Sequence, residues 1–358
     1  MNKKVALHSN CILVKGAERS VICDLQLQAI HYIPNSLYEL LNSHLGKSLV
    51  EIKKVYNNEY DDIIDDYFNF LEEKECVFYT NTPELFPKMD LEWDYPHEVS
   101  NAIIDYNKTS NYDIVEVLNQ LNNLNCKSIQ LRFFSDFHKD KITTFLNYLQ
   151  DSKSIITSVE LIIKENNWTI DESIKSLFNT CPRLTGCTIH TSTKNEIIPY
   201  GNKFIIYTQQ AINSEAHCGI ISMKYFTINL KTFTESKKFN SCLNRKISID
   251  TNGNIKNCPS MHKSFGSVKE ISLQEVLNNN EFKTVWDVTK DKVSVCKDCE
   301  FRYVCTDCRA YTEDPEDTYS KPLKCGYNPY TNEWEDWSKN KLKNNAIQFY
   351  GLTELIKK

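Results

Sequence analysis

The feature that most constrains this chain is a run of four cysteines in thirteen residues, CKDCEFRYVCTDC, from Cys296 to Cys308. Its spacing is C-x2-C-x5-C-x2-C, and a C-x2-C pair on a turn lets two thiolates converge on one metal centre while backbone amides point at the sulfurs. Three more cysteines flank the run. Cys242 and Cys258 precede it and are separated by fifteen residues, and Cys325 follows it after sixteen. Overlapping pairs with outlying cysteines predict two metal sites.

The compartment decides whether such cysteines form disulfides or bind metal. The opening stretch MNKKVALHSNCILVKG lacks the continuous apolar run of a signal peptide, and nowhere do about 18 apolar residues follow one another. We therefore expect a cytoplasmic protein with no membrane contact, whose thiols stay reduced. Four thiols at such short spacing would be hard to bury without a ligand. Soft thiolates select zinc or iron–sulfur clusters, and the spacing alone does not decide between them.

Composition excludes some classes of function. The chain has 358 residues, of which 41% are hydrophobic and 25% charged, as expected for a soluble protein of two or three domains. The net charge is −5, so there is no basic field to neutralise phosphates, and we expect no nucleic-acid partner. Only nine glycines are present, and none forms a Walker-type or dinucleotide-binding loop.

Residues 1–85 have the pattern of a small separate unit. Two short apolar runs, CILVKG and SVICDL, flank AERS and predict a hairpin. Three segments with helical spacing of apolar residues follow, and CVFYT predicts a closing strand. This order indicates a winged-helix-like domain. The three prolines of NTPELFPKMDLEWDYP then predict a linker.

Residues 90–236 alternate between strand and helix patterns. The strand-like runs are VSNAIIDYN, SIQLRFFSD, SVELIIKEN, GCTIHTST and KFIIYTQ. Three stretches between them repeat apolar residues every 3.6 positions: YDIVEVLNQLNNL, KDKITTFLNYLQD and DESIKSLFNTCP. Alternation at this interval predicts an α/β fold with a parallel sheet or a partial βα barrel. The cysteine-rich residues 237–358 form the third predicted domain.

The cysteine-rich part resembles a known domain. The run SCLNRKISIDTNGNIKNCPS, with Gly253 five positions before Cys258, is followed by CKDCEFRYVCTDC and a late cysteine. This pattern resembles the SPASM domain that is appended to radical-SAM enzymes modifying ribosomal peptides. The resemblance implies two four-iron four-sulfur clusters with interleaved ligands. By position, a first cysteine set would comprise Cys296, Cys299, Cys305 and Cys325, and a second cysteine set would include Cys242, Cys258 and Cys308.

The chain departs from the SPASM pattern in two places. Its last short pair is C-x2-C rather than C-x3-C, and the second cysteine set lacks an obvious fourth ligand. Cys218, in AHCGI, is the candidate for that position. The neighbouring His217 is a weaker candidate, and the alternative interpretation of Cys218 is an ordinary core cysteine.

The strand–helix region then resembles the partial barrel of radical-SAM enzymes. Such an enzyme carries C-x3-C-x2-C just after its first strand, where three thiolates leave one iron free for S-adenosylmethionine. Here the corresponding stretch, IIDYNKTSNYD, contains no cysteine, and Cys126, Cys181 and Cys187 are wrongly spaced. We therefore expect no S-adenosylmethionine cluster, and a barrel that serves as a scaffold or a binding surface.

The whole chain resembles the SPASM-domain maturase of grasp-with-spasm peptide systems. Its N-terminal unit resembles the leader-recognition element of such maturases, in which the leader adds as a strand to a sheet edge. The alternative interpretation of this unit is a small domain that serves only for packing or dimerisation. The resemblance implies two partners, a ribosomal precursor peptide with its leader and an ATP-grasp ligase, and an accessory role in peptide modification. Two alternatives stay open. One is a redox or Lewis-acid enzyme that uses an incompletely ligated cluster, and the other is a zinc-stapled interaction module.

No catalytic residue follows from the sequence. His190, at the end of an apolar strand, is expected to be a hydrogen-bonded core residue. Glu300 and Arg302, inside the cysteine run, would either tune a cluster through hydrogen bonds or form a surface ion pair of little energetic value. The aromatic stretch CGYNPYTNEWEDW is expected to pack over a cluster and exclude water.

Overall fold

The computed structural model describes residues 3–356. The N-terminal part contains five strands and three helices: β1 (Lys4–Leu7), β2 (Cys11–Val14), β3 (Arg19–Asp24), β4 (Ala29–Pro34), α1 (Asn35–His44), α2 (Leu49–Val55), α3 (Asp61–Glu73) and β5 (Val77–Thr80). Strands β2, β3 and β4 form an antiparallel meander in that order, and β1 pairs antiparallel with β5. The predicted hairpin is the β2–β3 pair, and the closing strand is β5. The sequence pattern did not predict β1 and β4, and the winged-helix class stays a prediction.

Local sequence explains the N-terminal helices. Helix α2 begins at a capping box, in which Ser48 and Glu51 satisfy each other's backbone amides. Helix α3 buries Ile64, Phe68 and Leu71, which recur at helical spacing and therefore share one face. That face packs into the core of the N-terminal part together with the buried residues of α1.

The middle region is the alternating α/β part. Its elements are β6 (Asn101–Tyr106), α4 (Ile114–Asn123), β7 (Ser128–Phe133), α5 (Lys139–Asp151), β8 (Ser158–Lys164), α6 (Asp171–Thr180), β9 (Leu184–His190), β10 (Glu196–Tyr200) and β11 (Lys203–Tyr207). All five predicted strands and all three predicted helices are present. Strand β10 is an additional edge strand that the sequence pattern did not predict.

These strands join an eight-stranded sheet. Two strands from further along the chain, β12 (Lys246–Ile249) and β13 (Ile255–Lys256), complete it, and the strand order is β10-β11-β9-β8-β7-β6-β12-β13. The six inner strands are parallel, and the two edge strands are antiparallel to their neighbours. The predicted α/β fold with a parallel sheet is confirmed, and the partial barrel stays a prediction. The cysteine-rich region is part of this sheet, because β12 pairs with β6.

The two faces of the sheet differ in polarity. On one face, alternate strand residues such as Ile104, Leu131 and Leu161 form a single apolar core with α4, α5 and α6. All three helices pack on that side of the sheet, because their buried residues belong to this core. The opposite face carries polar side chains, among them the buried pair Asp105 and Arg132 on β6 and β7.

The rest of the C-terminal region contains short elements joined by loops. They are α7 (Leu230–Lys238), α8 (Leu273–Asn278), α9 (Asn280–Lys283), β14 (Tyr327–Asn328), β15 (Glu333–Trp334), α10 (Asn344–Phe349) and α11 (Thr353–Ile356). Helices and strands this short supply few backbone hydrogen bonds of their own. The arrangement of the loops therefore depends on side-chain packing and on any metal centre that the cysteines bind.

The N-terminal meander shares a core with the cysteine-rich region. Val14 and Val21 of the meander pack in one apolar cluster with Phe301, Cys305 and Tyr327. One face of the meander is thus buried against residues almost 300 positions further along the chain. The predicted division into three domains stays a prediction.

No helix within residues 3–356 combines the length and the apolar character needed to cross a membrane.

Candidate metal centres

The first cysteine set lies around one small pocket. Cys296, Cys299, Cys305 and Cys325 all line it, together with Tyr327 and Trp334 from the aromatic stretch. The two aromatic rings lie 4.9 Å apart, centroid to centroid. The aromatic stretch therefore packs over this set, as the sequence predicts.

The backbone around the run brings these thiols together. A 3-10 turn, Cys296–Asp298, starts after Val295, which adopts the left-handed conformation with φ of 66°. The turn closes when the amide of Cys299 donates to the carbonyl oxygen of Cys296 at 3.0 Å. A second turn follows, in which the amide of Cys305 donates to the carbonyl oxygen of Phe301, also at 3.0 Å.

The thiols of the first set influence one another electrostatically. Burial raises the pKa of Cys296 to about 12, and Cys325 and Cys305 add to the rise because a second thiolate nearby disfavours ionisation. Burial also raises the pKa of Cys299, and Glu300 adds to that rise. Four thiols of this kind are stable as thiolates only if a cation or a cluster binds them.

The second cysteine set gathers on the other side of this region. Burial, together with the nearby Cys218 and Cys242, raises the pKa of Cys258 to about 12. Burial likewise raises the pKa of Cys308, and the same three cysteines contribute to the rise. The structure thus brings Cys218 together with the three cysteines that the sequence assigned to this set.

A glycine explains how Cys218 approaches the set. Gly219 has φ of +84°, a conformation that side chains rarely adopt, and a Cβ atom there would lie 2.8 Å from the Sγ atom of Cys308. The chain next to Cys218 is therefore packed directly against another cysteine of the second set.

One buried lysine fixes the same segment. The Nζ atom of Lys324 donates to the carbonyl oxygens of Ala216 and Cys218, at 2.5 and 2.7 Å. Three residues after Cys218, Ile221 forms a parallel bridge with Cys325 of the first set. Residues 216–221 therefore run between the two cysteine sets and contact both.

His217 is a poorer candidate for a ligand than Cys218. Its Nε2 atom lies 3.0 Å from the side-chain oxygen of Asn213, and its Nδ1 atom lies 3.3 Å from the side-chain nitrogen Nε2 of Gln210. The three cysteines that are wrongly spaced for a radical-SAM motif, Cys126, Cys181 and Cys187, are all buried in the sheet–helix core.

The donor set fits iron–sulfur clusters in number and chemistry. Each set supplies four cysteine thiols, which is the ligand count of a four-iron four-sulfur cluster. Within residues 3–356, no three Cys, His, Asp or Glu side chains are grouped as the ligands of a single metal ion.

Each cysteine set has a lysine at hydrogen-bond distance from one of its sulfurs. The Nζ atom of Lys290 lies 3.1 Å from the Sγ atom of Cys305, and that of Lys246 lies 3.4 Å from the Sγ atom of Cys242. Burial alone lowers the pKa of Lys246, but the thiols of the second set more than offset this effect, so the pKa lies above its ordinary value. The sequence analysis did not identify either lysine.

Glu300 and Arg302 do not form the surface ion pair that the sequence left open. The side chain of Glu300 is fully buried, and its Oε1 atom accepts a hydrogen bond from Nε of Arg19 at 2.8 Å. Arg302 instead pairs with Asp291 at 2.9 Å. Its Nη1 atom also donates to the carbonyl oxygens of Lys15 and of a cysteine, Cys299. Both side chains therefore connect the N-terminal meander to the first cysteine set.

A buried ion pair lies on the polar face of the sheet near the second set. Arg132 binds Asp105 through two hydrogen bonds, at 2.5 and 2.7 Å. Burial raises the pKa of Asp105 to about 6 even though Arg132 opposes the rise. Cys218 and Cys258 contribute electrostatically to a raised pKa of Arg132. No short sequence motif predicts this ion pair, because Asp105 and Arg132 lie on different strands.

His190 is buried at the end of β9, as predicted. Its Nδ1 atom lies 3.0 Å from the hydroxyl oxygen of Thr191 and accepts a hydrogen bond from the amide of Ile212. Its Nε2 atom has no hydrogen-bond partner in the described part of the chain. The contacts do not give it a catalytic role.

Comparison with known proteins identifies the cysteine-rich region. Residues 241–300 match the SPASM family, which is described as an iron-sulfur cluster-binding domain. This part of the chain is therefore similar to an iron–sulfur cluster-binding domain, and the matched stretch includes cysteines of both sets. No curated protein sequence matches the chain.

Solved structures of Streptococcus suis SuiB also align with the chain. SuiB bound to S-adenosylmethionine is 9% identical with a TM-score of 0.29, and the alignment covers 89% of this chain and 98% of SuiB. SuiB alone is 10% identical, and SuiB bound to the precursor peptide SuiA is 9% identical. Both have a TM-score of 0.31 and cover 88% of this chain and 98% of SuiB.

Proposed function

We propose that this chain is an accessory protein in the maturation of a ribosomally made peptide. In this proposal residues 1–85 form a winged-helix-like unit that binds the leader of the precursor, and residues 90–236 form a scaffold derived from a radical-SAM-like barrel. Residues 237–358 hold two four-iron four-sulfur clusters. An ATP-grasp ligase in the same cytoplasm makes the covalent bond.

The observation that carries the proposal is the pair of four-cysteine sets, with the family match covering part of each. Cys218 approaches the second set through Gly219, so each proposed cluster has four thiolate ligands. Full ligation leaves no iron open for a substrate. It favours clusters that stabilise the fold or transfer electrons over a cluster that acts as a Lewis acid.

Metal analysis tests this part of the proposal. Anaerobically purified protein should contain about eight irons and eight sulfides per chain, since each of two clusters holds four of each. On reduction it should give the electron paramagnetic resonance signal of iron–sulfur clusters. One or two zinc ions with no sulfide would refute it and favour the zinc-stapled module. Formation of 5′-deoxyadenosine from S-adenosylmethionine and a reductant would refute the claim that radical initiation is lost.

The open edges of the meander support peptide binding. Strands β2 and β4 are its outer strands, and within residues 3–356 no further strand pairs with either one. A groove of about 420 Å³ adjoins β2 and is lined mainly by apolar residues, among them Leu13, Leu41 and Phe86. An extended peptide could therefore pair its backbone with β2 and place apolar side chains in the groove.

Peptide binding is best tested on the full chain, because one face of the meander is buried in the shared core. We expect a leader peptide to bind with a dissociation constant in the micromolar range, about −8 kcal/mol. Phe86→Asp should weaken binding at least tenfold, because Phe86 lines the groove and is 52% exposed. Leu342→Asp is the control, since Leu342 is 92% exposed and does not line the groove. Equal affinities for the two variants would place peptide binding elsewhere.

The ligase partnership has a separate test. The ATP-grasp ligase should co-elute with this chain in the presence of precursor peptide. A ligase that modifies the peptide equally well without this chain would refute the accessory role.

A further inference from the structure

Each cysteine set is accompanied by one lysine whose ammonium group contacts a cysteine sulfur. For the first set the contact joins Lys290 and Cys305 at 3.1 Å, and for the second set it joins Lys246 and Cys242 at 3.4 Å. The two lysines come from different elements. Lys290 opens a 3-10 turn, Lys290–Lys292, whereas Lys246 is the first residue of β12.

The ammonium group of Lys290 is buried, so a nearby negative charge is needed to stabilise it. Lys290 is only 5% exposed, and its other hydrogen bond is to the carbonyl oxygen of Thr306 at 3.2 Å. None of the ion pairs among the described residues includes it. A carboxylate that acts on it electrostatically, that of Asp307, is already paired with Arg309 at 2.7 Å. A buried ammonium is costly unless an anion compensates it, and the cysteine sulfurs are the anions available.

Lys246 is held in place by the sheet. Its neighbour Ile247 belongs to the apolar core on the helix side, so the side chain of Lys246 points to the opposite, polar face. Strand β12 is fixed by its parallel pairing with β6, in which Lys246 lies opposite Asn101. The ammonium group is therefore presented to the second set by a rigid element.

We propose that Lys290 and Lys246 each set the reduction potential of one iron–sulfur cluster, Lys290 that of the first set and Lys246 that of the second. The inference rests on the proposed function for the presence of the clusters. One-electron reduction adds one negative charge to a cluster. A fixed ammonium beside a ligand sulfur stabilises the more negative, reduced form and so raises the potential.

The test is a redox titration of the full, anaerobically loaded chain with dithionite as the one-electron reductant. Lys290→Met should lower one of two midpoint potentials, and Lys246→Met should lower the other. We expect the ratio of reduced to oxidised cluster at a fixed potential to fall at least tenfold, which is 59 mV for one electron. Arginine at either position should restore most of the shift, because it keeps the positive charge.

Lys292→Met is the matched control. Lys292 lies on the same turn as Lys290 but is exposed, and its ammonium donates to the carbonyl oxygen of Asp287. Its replacement should leave both potentials unchanged. If a methionine variant loses iron, glutamine at the same position keeps a hydrogen-bond donor without the charge and should give the same downward shift.

The outcomes separate this inference from the proposed function. Intact clusters whose potentials stay the same in Lys290→Met and Lys246→Met would overturn the inference alone. A shift of both potentials by either single change would overturn the pairing of one lysine with one cluster. A wild-type chain that gives no iron–sulfur signal would overturn the proposed function, and the inference with it.

Discussion

Removing Arg19 should loosen the contact between the N-terminal meander and the first cysteine set. Arg19 lies at the start of β3 and donates to the carboxylate of Glu300 at 2.8 Å and to the hydroxyl of Tyr327 at 3.3 Å. Its side chain is 28% exposed, whereas that of Glu300 is fully buried. Replacement by methionine would leave a buried carboxylate without its cation.

The magnitude follows from burial. Breaking a buried ion pair by removing one partner costs about 3–5 kcal/mol, because the remaining charge stays desolvated. Arg19 is partly exposed, so water would relieve some of this cost, and we expect about 3 kcal/mol for Arg19→Met. Each 1.4 kcal/mol is a factor of ten in an equilibrium constant, so the loss corresponds to roughly a hundredfold.

Native-state hydrogen exchange measures this loss at the place where it occurs. The backbone amides of β3 should exchange about a hundredfold faster in Arg19→Met, since exchange reports the local free energy of opening. Glu300→Gln and the double variant complete a mutant cycle, and the double variant should cost much less than the sum of the two single changes. Lys15→Met, which breaks an exposed ion pair with Glu39, should leave these rates unchanged. Additivity within about 0.5 kcal/mol would refute the coupling.

Three further changes test the two centres and the sheet. Cys299→Ala should lose about half of the bound iron and reduce solubility, because a cluster with three thiolates is labile; unchanged iron and melting temperature would exclude Cys299 as a ligand. Cys218→Ala should lose the other half, whereas Cys187→Ala, in the sheet–helix core, should keep all of it; equal iron in these two variants would show that Cys218 is a core cysteine. Arg132→Met should cost about 3–5 kcal/mol of unfolding free energy, much of which a further Asp105→Leu change should recover, and no recovery would show that the pair is not the cause.

Sequence periodicity predicted the elements that have a well-defined apolar face. Strands β6 to β9 and helices α4 to α6 each bury alternate or helically spaced residues in one core. Their type can therefore be recognised from the spacing of apolar residues within each segment. Strand β10 was missed because it is an edge strand with a mostly exposed pattern. The pairing of β12 with β6 was missed because periodicity describes the face of a strand and not its partner.

The site was predictable where its residues are close in sequence. The two C-x2-C pairs marked four candidate ligands, and family resemblance supplied the outlying cysteines and the division into two sets. Lys290 lies fifteen positions before its cysteine contact, and no spacing rule connects the two. Arg19 and Glu300 are 281 positions apart, so the sequence around either residue does not predict their contact.

That separation affects the order in which the chain can fold during synthesis. The apolar face of the meander, which includes Val14, Val21 and Leu25, is made long before its packing partners near Phe301. At about 5–20 residues per second, the ribosome needs roughly 15–55 s to add the 281 positions between Arg19 and Glu300. During that time the face stays open to solvent and to chaperones. Docking of the meander is therefore a late event of high contact order, and until it occurs the apolar face can take part in aggregation.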